Sequence, residues 1–341
     1  MRRALRFRFE EEHAPGLWLA YGLGAVLRQE KTPYQELSVV DTEAFGRALI
    51  LDGVMQTTER DEFFYHEMMT HVPMLAHPCP RRVLVVGGGD GGVVREVLKH
   101  PTAQKVDLVE IDARVPASAR EFLPFLARAL DDPRVNQVVE DGAAFVARCD
   151  ASYDVAIVDC TDPVGIPDFG DPPAPAAPDS GDPPATGEAP SREAPDGGDA
   201  GCARVHGAAG GPLREGPAAS LFRPEFYASL ARVLQPHGVF SCQVESPFYY
   251  PEVLVKAHRV VGRYFPLVRI YLGPVPTYPG GWWGYVVGSH GPDPSRPPEE
   301  SRLGGIMTRY YTRETHRAAF ALPRYLQEML AAEEVAPSGG G

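Results

Sequence analysis

The chain has 341 residues, of which 44% are hydrophobic and 23% charged, and its formal net charge is −12. This composition is typical of a globular protein and excludes a fibrous or wholly disordered chain. The acidic balance also argues against nucleic acid and anionic membranes as partners, because both are bound through basic patches. Small cationic molecules are the partners that the charge favours.

The N-terminal residues and the cysteines indicate a cytoplasmic protein. The opening MRRALRFRFEEEH is not followed by an apolar run of signal-peptide length, and no stretch approaches about 18 uninterrupted apolar residues. The five cysteines are widely spaced without a CxxC pair, and the ten histidines show no metal-binding spacing. We therefore predict reduced thiols and no metal site.

The first predicted unit is a small antiparallel β domain over residues 1–60. From residue 17 onward, apolar and polar residues alternate in short runs, which are separated by turn signals such as Asp52-Gly53. This alternation with a period of two is typical of strands that bury one face.

From Asp61 the pattern changes to a helix, and apolar strand runs then alternate with helical patterns. This predicts a Rossmann-like, methyltransferase-type α/β domain with a mostly parallel sheet over residues 61–335, followed by a flexible tail at 336–341. Pro116 falls within a helical pattern, so we expect that helix to begin at or after it.

The most informative segment joins an apolar strand, RVLVV, to a helix through the turn GGGDGG. Gly87, Gly89 and Gly91 allow a sharp turn and a close approach to a ligand. Glu110 follows about 20 residues later, at the end of the next strand, where a carboxylate can bind ribose hydroxyls. The segment predicts a nucleoside site. For the glycine turn alone, a tight connection without a ligand is the alternative.

Asp90 inside the turn separates this segment from a dinucleotide site. Its carboxylate stands where a pyrophosphate would otherwise meet the N–H groups at the start of the helix, and two anions at contact distance repel. We therefore predict a nucleoside that carries a positive charge.

A second acidic group, DCTDP, follows the apolar strand YDVAIV. Such a strand is expected in the centre of the sheet, with its carboxyl end at the ligand-binding edge. Asp159 and Asp162 then meet Asp90 there, and like charges raise one another's pKa until a cation compensates them. The cluster predicts a polyamine site, whereas a simple Asx turn is the alternative for DCTDP alone. Cys160 is interpreted as a buried, inert thiol, with reaction toward thiol reagents as the alternative.

Residues 165–215 do not fit the α/β pattern. They include ten prolines, ten glycines and nine acidic against three basic side chains, and they lack an apolar period. Such a segment buries too little apolar surface to offset its chain entropy, so it is predicted to be a disordered insertion.

Other residues remain ambiguous from their own sequence. Tyr65 and His66 lie on a predicted helix that leads toward the glycine turn. Their side chains are interpreted either as part of the core or as contacts in the site. Trp282 and Trp283 suit an aromatic wall or, more simply, the core. Nothing local singles out Gln35, Gln56, Gln243 or Tyr278.

Together these motifs resemble the polyamine aminopropyltransferases, the family of the spermidine synthases. The likeness rests on LDGVMQTTERDEFFYHEM, RVLVVGGGDGGVVREVLKHP, VEID, EDG, DCTDPVG, GPAASLF, PTYPGG and RYYTRETHRAAFALP, in this order. It implies an N-terminal β domain on a Rossmann-like domain. It also implies transfer of the aminopropyl group of decarboxylated S-adenosylmethionine to putrescine, which gives spermidine and 5′-methylthioadenosine.

The resemblance also implies roles for single residues. Asp159 becomes the proton acceptor for the attacking amine. The substrate-binding positions, with Asp90 at the donor's ammonium, are Asp162, His66, Tyr65, Asp90, Gln243 and Tyr278. The positions that bind the nucleoside co-substrate are Gln35, Gln56, Gly87, Gly89, Glu110, Asp141, Gly142 and Pro217. The resemblance implies no tightly bound cofactor, no metal, and a homodimer or homotetramer.

Three functions remain open at this stage. The first is aminopropyl transfer, with putrescine or another amine, such as cadaverine or agmatine, as the acceptor. An S-adenosylmethionine-dependent amine N-methyltransferase on the same fold is the rival enzyme, although Asp90 and DCTDP count against it. A silent polyamine-binding protein is the third function, because the insertion splits a loop that covers the site in the family.

Overall fold

The computed structural model describes residues 7–14, 16–150, 152–161, 204–206 and 218–335. Among these residues the strands are β1 (Phe7–Ala14), β2 (Leu17–Lys31), β3 (Glu36–Thr42), β4 (Gly46–Leu51), β5 (Val54–Thr58), β6 (Arg82–Gly87), β7 (Lys105–Glu110), β8 (Val135–Val139), β9 (Tyr153–Asp159), β10 (Arg204–His206), β11 (Leu234–Gln243), β12 (Leu267–Pro274) and β13 (Trp282–Ser289). The α-helices are α1 (Glu62–Ala76), α2 (Gly92–Leu98), α3 (Arg114–Phe122), α4 (Pro124–Ala127), α5 (Gly142–Arg148), α6 (Pro224–Val233), α7 (Pro251–Val261), α8 (Glu300–Leu303), α9 (Arg313–Ala319) and α10 (Arg324–Val335).

The strands form two sheets. The N-terminal sheet has the order β10-β1-β2-β3-β4-β5 and is antiparallel except for the β10–β1 pair. The central sheet has the order β12-β13-β11-β9-β6-β7-β8, with parallel pairing from β11 to β8 and antiparallel pairing of β13 with both its neighbours. The predicted fold class, a Rossmann-like α/β fold with an N-terminal antiparallel β unit, is confirmed.

The central strands are apolar because both faces of the sheet are covered. Alternate side chains of β6 point to opposite faces. Val83 and Val85 pack in the core that contains α1 and α2, whereas Leu84 and Val86 pack in the core that contains α6 and α7. Among the described residues, no helix combines the length and the apolar content needed to cross a membrane.

Helix α1 is buried along nearly its whole length, from Glu62 to Leu75. The last turn of a helix leaves backbone carbonyl groups without a partner. Here the Arg302 guanidinium donates hydrogen bonds to the carbonyl oxygens of Met74, Leu75 and His77. The helix is thereby anchored at its far end, and it carries Tyr65 and His66 near its start.

Two sequence-based expectations are corrected here. Helix α3 begins at Arg114, two residues before Pro116, because the N–H group that proline lacks has no partner in a first turn anyway. Within the predicted disordered insertion, residues 204–206 form β10, so the expectation is wrong for these three. Their partner β1 otherwise lies at the edge of the sheet, with backbone groups ready to pair. The rest of the segment 165–215 and the tail 336–341 lie outside the described residues.

Glu67 of α1 binds the backbone of residues 309–311 in the C-terminal part of the chain. Its buried carboxylate accepts hydrogen bonds from the backbone N–H groups of Arg309, Tyr310 and Tyr311 at 2.7 to 2.8 Å. We expect Glu67→Gln to lower the free energy of unfolding by about 3 kcal/mol, because the new amide turns a donor toward these N–H groups. Thermal unfolding measures this, with the exposed Glu328→Gln as control. A melting temperature within about one degree of the unaltered protein contradicts the assignment.

Candidate active site

A cleft with about 960 Å³ of unfilled space, part of it open to solvent, lies at the carboxyl ends of β6, β7 and β9. This edge of an open α/β sheet is where ligands bind. The N-terminal sheet also lines the cleft, through Leu49, Leu51, Met55 and Gln56. Both sheets therefore contribute to one site.

The glycine turn after β6 lets acidic residues converge. Gly87 has a φ of 77°, and a Cβ there would lie 2.0 Å from the carbonyl oxygen of Asp159. Asp90 folds back onto the start of α2, where its Oδ1 accepts a hydrogen bond from the Gly92 N–H at 2.7 Å. A Cβ on Gly92 would lie 2.2 Å from Cε1 of His66. Glycine at these two positions therefore admits Asp159 and His66 to the turn.

His66 lies between two carboxylates. Its Nδ1 is 2.7 Å from Oε2 of Glu62, and its Nε2 is 3.7 Å from Oδ2 of Asp90. Burial disfavours the charged ring, but Asp90 and Glu62 outweigh burial and raise the pKa of His66 to about 10. Arg95 donates two hydrogen bonds to Glu62, at 2.7 and 3.0 Å. Burial acts to raise the pKa of Glu62, yet His66 and Arg95 lower it to about 2. Glu62 and His66 are therefore both charged.

Asp159, at the end of β9, faces the same space. The Tyr65 hydroxyl donates a hydrogen bond to its Oδ1 at 2.7 Å. Burial and the charge of Asp90 raise the pKa of Asp159 to about 6, although His66 and Tyr65 act in the opposite direction. Polar atoms of His66, Asp90 and Asp159 lie within 4.8 Å of one another. A carboxylate of this kind is ionised at neutral pH and more basic than an ordinary aspartate, as a proton acceptor requires.

Glu110, at the end of β7, forms another part of the cleft. Its carboxylate accepts hydrogen bonds from the N–H groups of Gly89 at 3.2 Å and Asp112 at 2.9 Å. Burial is the largest cause that raises the pKa of Glu110 to about 7. Asp112 in turn accepts hydrogen bonds from Gln35 Nε2 at 3.0 Å and from the Thr32 hydroxyl at 2.7 Å. Asp112 thus holds Gln35 across the boundary between the two sheets.

Amide and aromatic side chains complete the lining. Trp283 donates a hydrogen bond from Nε1 to Oε1 of Gln243 at 3.1 Å. The Tyr278 hydroxyl donates to the backbone carbonyl of Gln56, and its ring meets that of Trp283 edge-on at 4.6 Å. Trp283 is buried, as a core residue would be, but it also lines the cleft, whereas Trp282 is half exposed.

All but two of the predicted site residues line this one cleft: Gln35, Gln56, Tyr65, His66, Gly87, Gly89, Asp90, Glu110, Asp141, Gly142, Asp159, Gln243 and Tyr278. Asp141 also caps α5, because its Oδ1 accepts the Ala144 N–H at 2.8 Å. The remaining two, Asp162 and Pro217, lie outside the described residues.

Sequence reasoning missed Glu62 and Asp112, which hold His66 and Gln35 in place. A signal for Glu62 was present, because it precedes His66 by four residues on a predicted helix, which is the spacing of neighbours on one face. Asp112 is the second acid of VEID, and no local pattern connects it with Gln35.

The fold and the cleft define a protein of the Rossmann-like α/β class with a ligand site at the carboxyl ends of its central strands. The family model for the spermine/spermidine synthase domain matches residues 62–168 and 213–296, and that for the spermidine synthase tetramerisation domain matches residues 8–59. The chain belongs to the spermine/spermidine synthase family.

Its relatives match along nearly the whole chain. A polyamine aminopropyltransferase from Moorella thermoacetica is 44% identical over 326 residues, which cover 96% of this chain and 97% of the relative. One from Bacillus subtilis (strain 168) is 37% identical over 322 residues, which cover 94% and 98%. The predicted family is therefore confirmed, and the chain is an aminopropyl-transferring enzyme.

Solved structures agree with this assignment. A crystal structure of spermidine synthase in complex with the transition state analogue AdoDATO has a TM-score of 0.78 at 32% identity and covers 97% of this chain and 99% of its own. The spermidine synthase from Thermotoga maritima has a TM-score of 0.77 at 32% identity, covering 97% and 96%.

Proposed function

We propose that the enzyme is a spermidine synthase, which transfers the aminopropyl group of decarboxylated S-adenosylmethionine to putrescine. The products are spermidine and 5′-methylthioadenosine. The observation that carries the proposal is that Asp90 and Asp159 share one cleft with Glu110. Two carboxylates beside a ribose-binding position suit a nucleoside with a cationic side chain and an amine acceptor.

Asp159 is the proposed proton acceptor. An alkylamine with a pKa near 10 is an ammonium ion at neutral pH and cannot attack until it loses a proton. Asp159 accepts that proton, while the hydrogen bond from Tyr65 orients the carboxylate. The nitrogen then attacks the carbon next to the sulfonium, the C–S bond breaks, and its electron pair stays on sulfur. Alignment of nitrogen, carbon and sulfur supplies much of the remaining rate.

Asp90 is proposed to bind the ammonium of the donor and to set the choice of donor. Intact S-adenosylmethionine brings its own carboxylate toward Asp90, and this repulsion disfavours it. The proposed acceptor contacts also include His66, Gln243, Tyr278 and Asp162. The proposed nucleoside contacts are Gln35, Gln56, Gly87, Gly89, Glu110, Asp141, Gly142 and Pro217.

The proposed reaction uses no metal and no tightly bound cofactor. A protonated His66 has no lone pair to offer at Nε2, and its Nδ1 is already bonded to Glu62. The adjacent charges of His66 and Asp90 offset each other, so an ammonium group of a substrate is suited to replace the positive charge of His66 beside Asp90.

We further propose two domains, over residues 1–60 and 61–335, with a flexible tail at 336–341 and a homodimer or homotetramer as the assembly. The two family models meet between residues 59 and 62, which supports this division, and the description of one as a tetramerisation domain supports assembly. A cytoplasmic location, without nucleic acid or membrane partners, is also proposed. The described cysteines form no disulfide, which suits a reducing compartment.

We expect nucleoside binding to depend on the charge of Glu110. Because burial raises the pKa of Glu110 to about 7, its carboxylate loses charge as the pH falls through that value and accepts ribose hydroxyls less well. The affinity for 5′-methylthioadenosine should fall about tenfold between pH values of about 8 and 6. Glu110→Gln should bind weakly at both. Calorimetric titration measures this, and equal affinities of the unaltered enzyme at both pH values would contradict the role of Glu110.

The proposed function is tested by offering decarboxylated and intact S-adenosylmethionine separately with putrescine, cadaverine or agmatine. Mass spectrometry of the amine product and release of 5′-methylthioadenosine are the readouts. Spermidine from the decarboxylated donor and putrescine is expected. A methylated amine from the intact donor identifies a methyltransferase instead, and binding of the amine without any product identifies a silent polyamine-binding protein.

A further inference from the structure

The buried His66 ring is surrounded by charged and titratable side chains. The ring is 2% exposed, and its two nitrogens face Glu62 of its own helix and Asp90 of the glycine turn. Tyr65 meets the ring edge-on at 5.5 Å, and Asp159 of β9 belongs to the same cluster. Among the residues that the structure describes, these groups, with Arg95 of α2 behind Glu62, are the charged or titratable groups around the ring.

Glu62 decides which ring nitrogen carries the fixed proton. Two hydrogen bonds from Arg95 keep Glu62 as a carboxylate, which accepts but does not donate. Nδ1 of His66 therefore holds its proton for Glu62, and the proton that varies is the one on Nε2, which faces Asp90. Glu62 is buried and does not line the cleft, so it acts as a positioning residue.

We propose that the Nε2 proton of His66 takes the place of the substrate's positive charge in the free enzyme and leaves when the donor binds. In the free enzyme this proton compensates the charge of Asp90. When the ammonium of decarboxylated S-adenosylmethionine reaches Asp90, the attraction that holds the proton is lost, and the ring would also face new positive charge.

In the exchange the Nε2–H bond of His66 breaks, its electron pair stays on Nε2, and the proton passes to the buffer. The exchange rests on the proposed function, because it assumes that the donor's ammonium binds at Asp90. Its consequence is that Asp90 has a positively charged partner both before and after the donor binds.

Calorimetry of donor binding in buffers of different ionisation enthalpy counts the released protons. A pH of about 8 is suitable, because Glu110 and Asp159 are mostly ionised there and contribute little. We expect about one proton per site for decarboxylated S-adenosylmethionine and almost none for 5′-methylthioadenosine, which has no positive charge. Between pH values of about 7.5 and 8.5, the affinity for decarboxylated S-adenosylmethionine should rise about tenfold. The affinity for 5′-methylthioadenosine should rise less than about twofold over the same range.

Two variants of α1 test the part assigned to Glu62. Glu62→Gln should release well below one proton, because the ring then lacks one of the carboxylates that keep it charged. Glu67→Gln removes the next carboxylate of the same helix, which bonds the N–H groups of residues 309–311 instead of the His66 ring, and should still release about one proton. A full proton from Glu62→Gln would overturn the role of Glu62. Carbon-13 NMR of the His66 ring, assigned with His66→Gln, should show loss of the ring proton on binding.

The unaltered enzyme alone keeps the proposal falsifiable if Glu62→Gln does not fold. Donor binding without proton release, or an unchanged His66 spectrum, overturns the proton exchange and leaves the proposed function standing. Failure to bind the decarboxylated donor at all would instead count against the proposed function.

Discussion

Asp159→Asn is expected to lower kcat for aminopropyl transfer by about 10²- to 10⁴-fold, the usual contribution of a general base. The amide has the shape of the carboxylate and can still accept the hydrogen bond from Tyr65, which is 2.7 Å long. It has no basic lone pair for the ammonium proton, so the attacking amine stays protonated. Donor affinity should change much less, because Asp90 is the proposed partner of the donor. Single-turnover formation of 5′-methylthioadenosine separates these two effects.

Asp154→Asn is the matched control, because Asp154 lies on the same strand near its opposite end. Its carboxylate accepts hydrogen bonds from the backbone N–H groups of Arg81 and Arg82 and does not line the cleft. We expect its kcat to stay within about twofold of the unaltered enzyme. If Asp159→Asn also retained kcat within that range, Asp159 would not be the base.

Asp90→Asn should raise the Kd for decarboxylated S-adenosylmethionine by about 100-fold, as expected when one partner of a buried charge pair is removed. Asparagine keeps the oxygen that accepts the Gly92 N–H at 2.7 Å, so the start of α2 is preserved. Intact S-adenosylmethionine should lose little or even gain, because its carboxylate no longer meets a like charge. The ratio of the two donor affinities, measured by calorimetry, should therefore fall.

Asp141→Asn provides the comparison for Asp90→Asn. Asp141 also lines the cleft and caps a helix, through the Ala144 N–H at 2.8 Å. Its proposed contact is with the adenosine part that both donors share, so the ratio of donor affinities should not change. An unchanged ratio in Asp90→Asn would show that Asp90 does not select the donor.

The sequence alone was sufficient for the acidic edge of the site. Asp90 and Asp159 follow apolar strands, and the carboxyl ends of parallel strands lie at one edge of a sheet. In the structure β6 and β9 are neighbours, which brings the two carboxylates together. Gly87 was also predictable, because the turn demands a positive φ, which is 77° in the structure.

Contacts between distant segments were not predictable from local patterns. Gln35 and Gln56 lie in strand-forming sequence that gives no hint of a ligand, and only the family resemblance placed them at the site. The ion pair of Glu62 with Arg95 required knowledge of how α1 packs against α2. Strand β10 forms by pairing with the edge strand β1, and the sequence of residues 204–206 alone does not predict this pairing.

Thr32 and Gln35, in the turn between β2 and β3, donate hydrogen bonds to Asp112 after β7 and so join the N-terminal sheet to the central sheet beside the proposed nucleoside contacts. The N-terminal sheet is therefore not an exchangeable module. A chimera of two relatives would take one wall of its cleft from each parent, and it would keep this contact only if both parents carried the matching residues. Changes in the proposed assembly and in the proposed nucleoside contacts would therefore be constrained to evolve together.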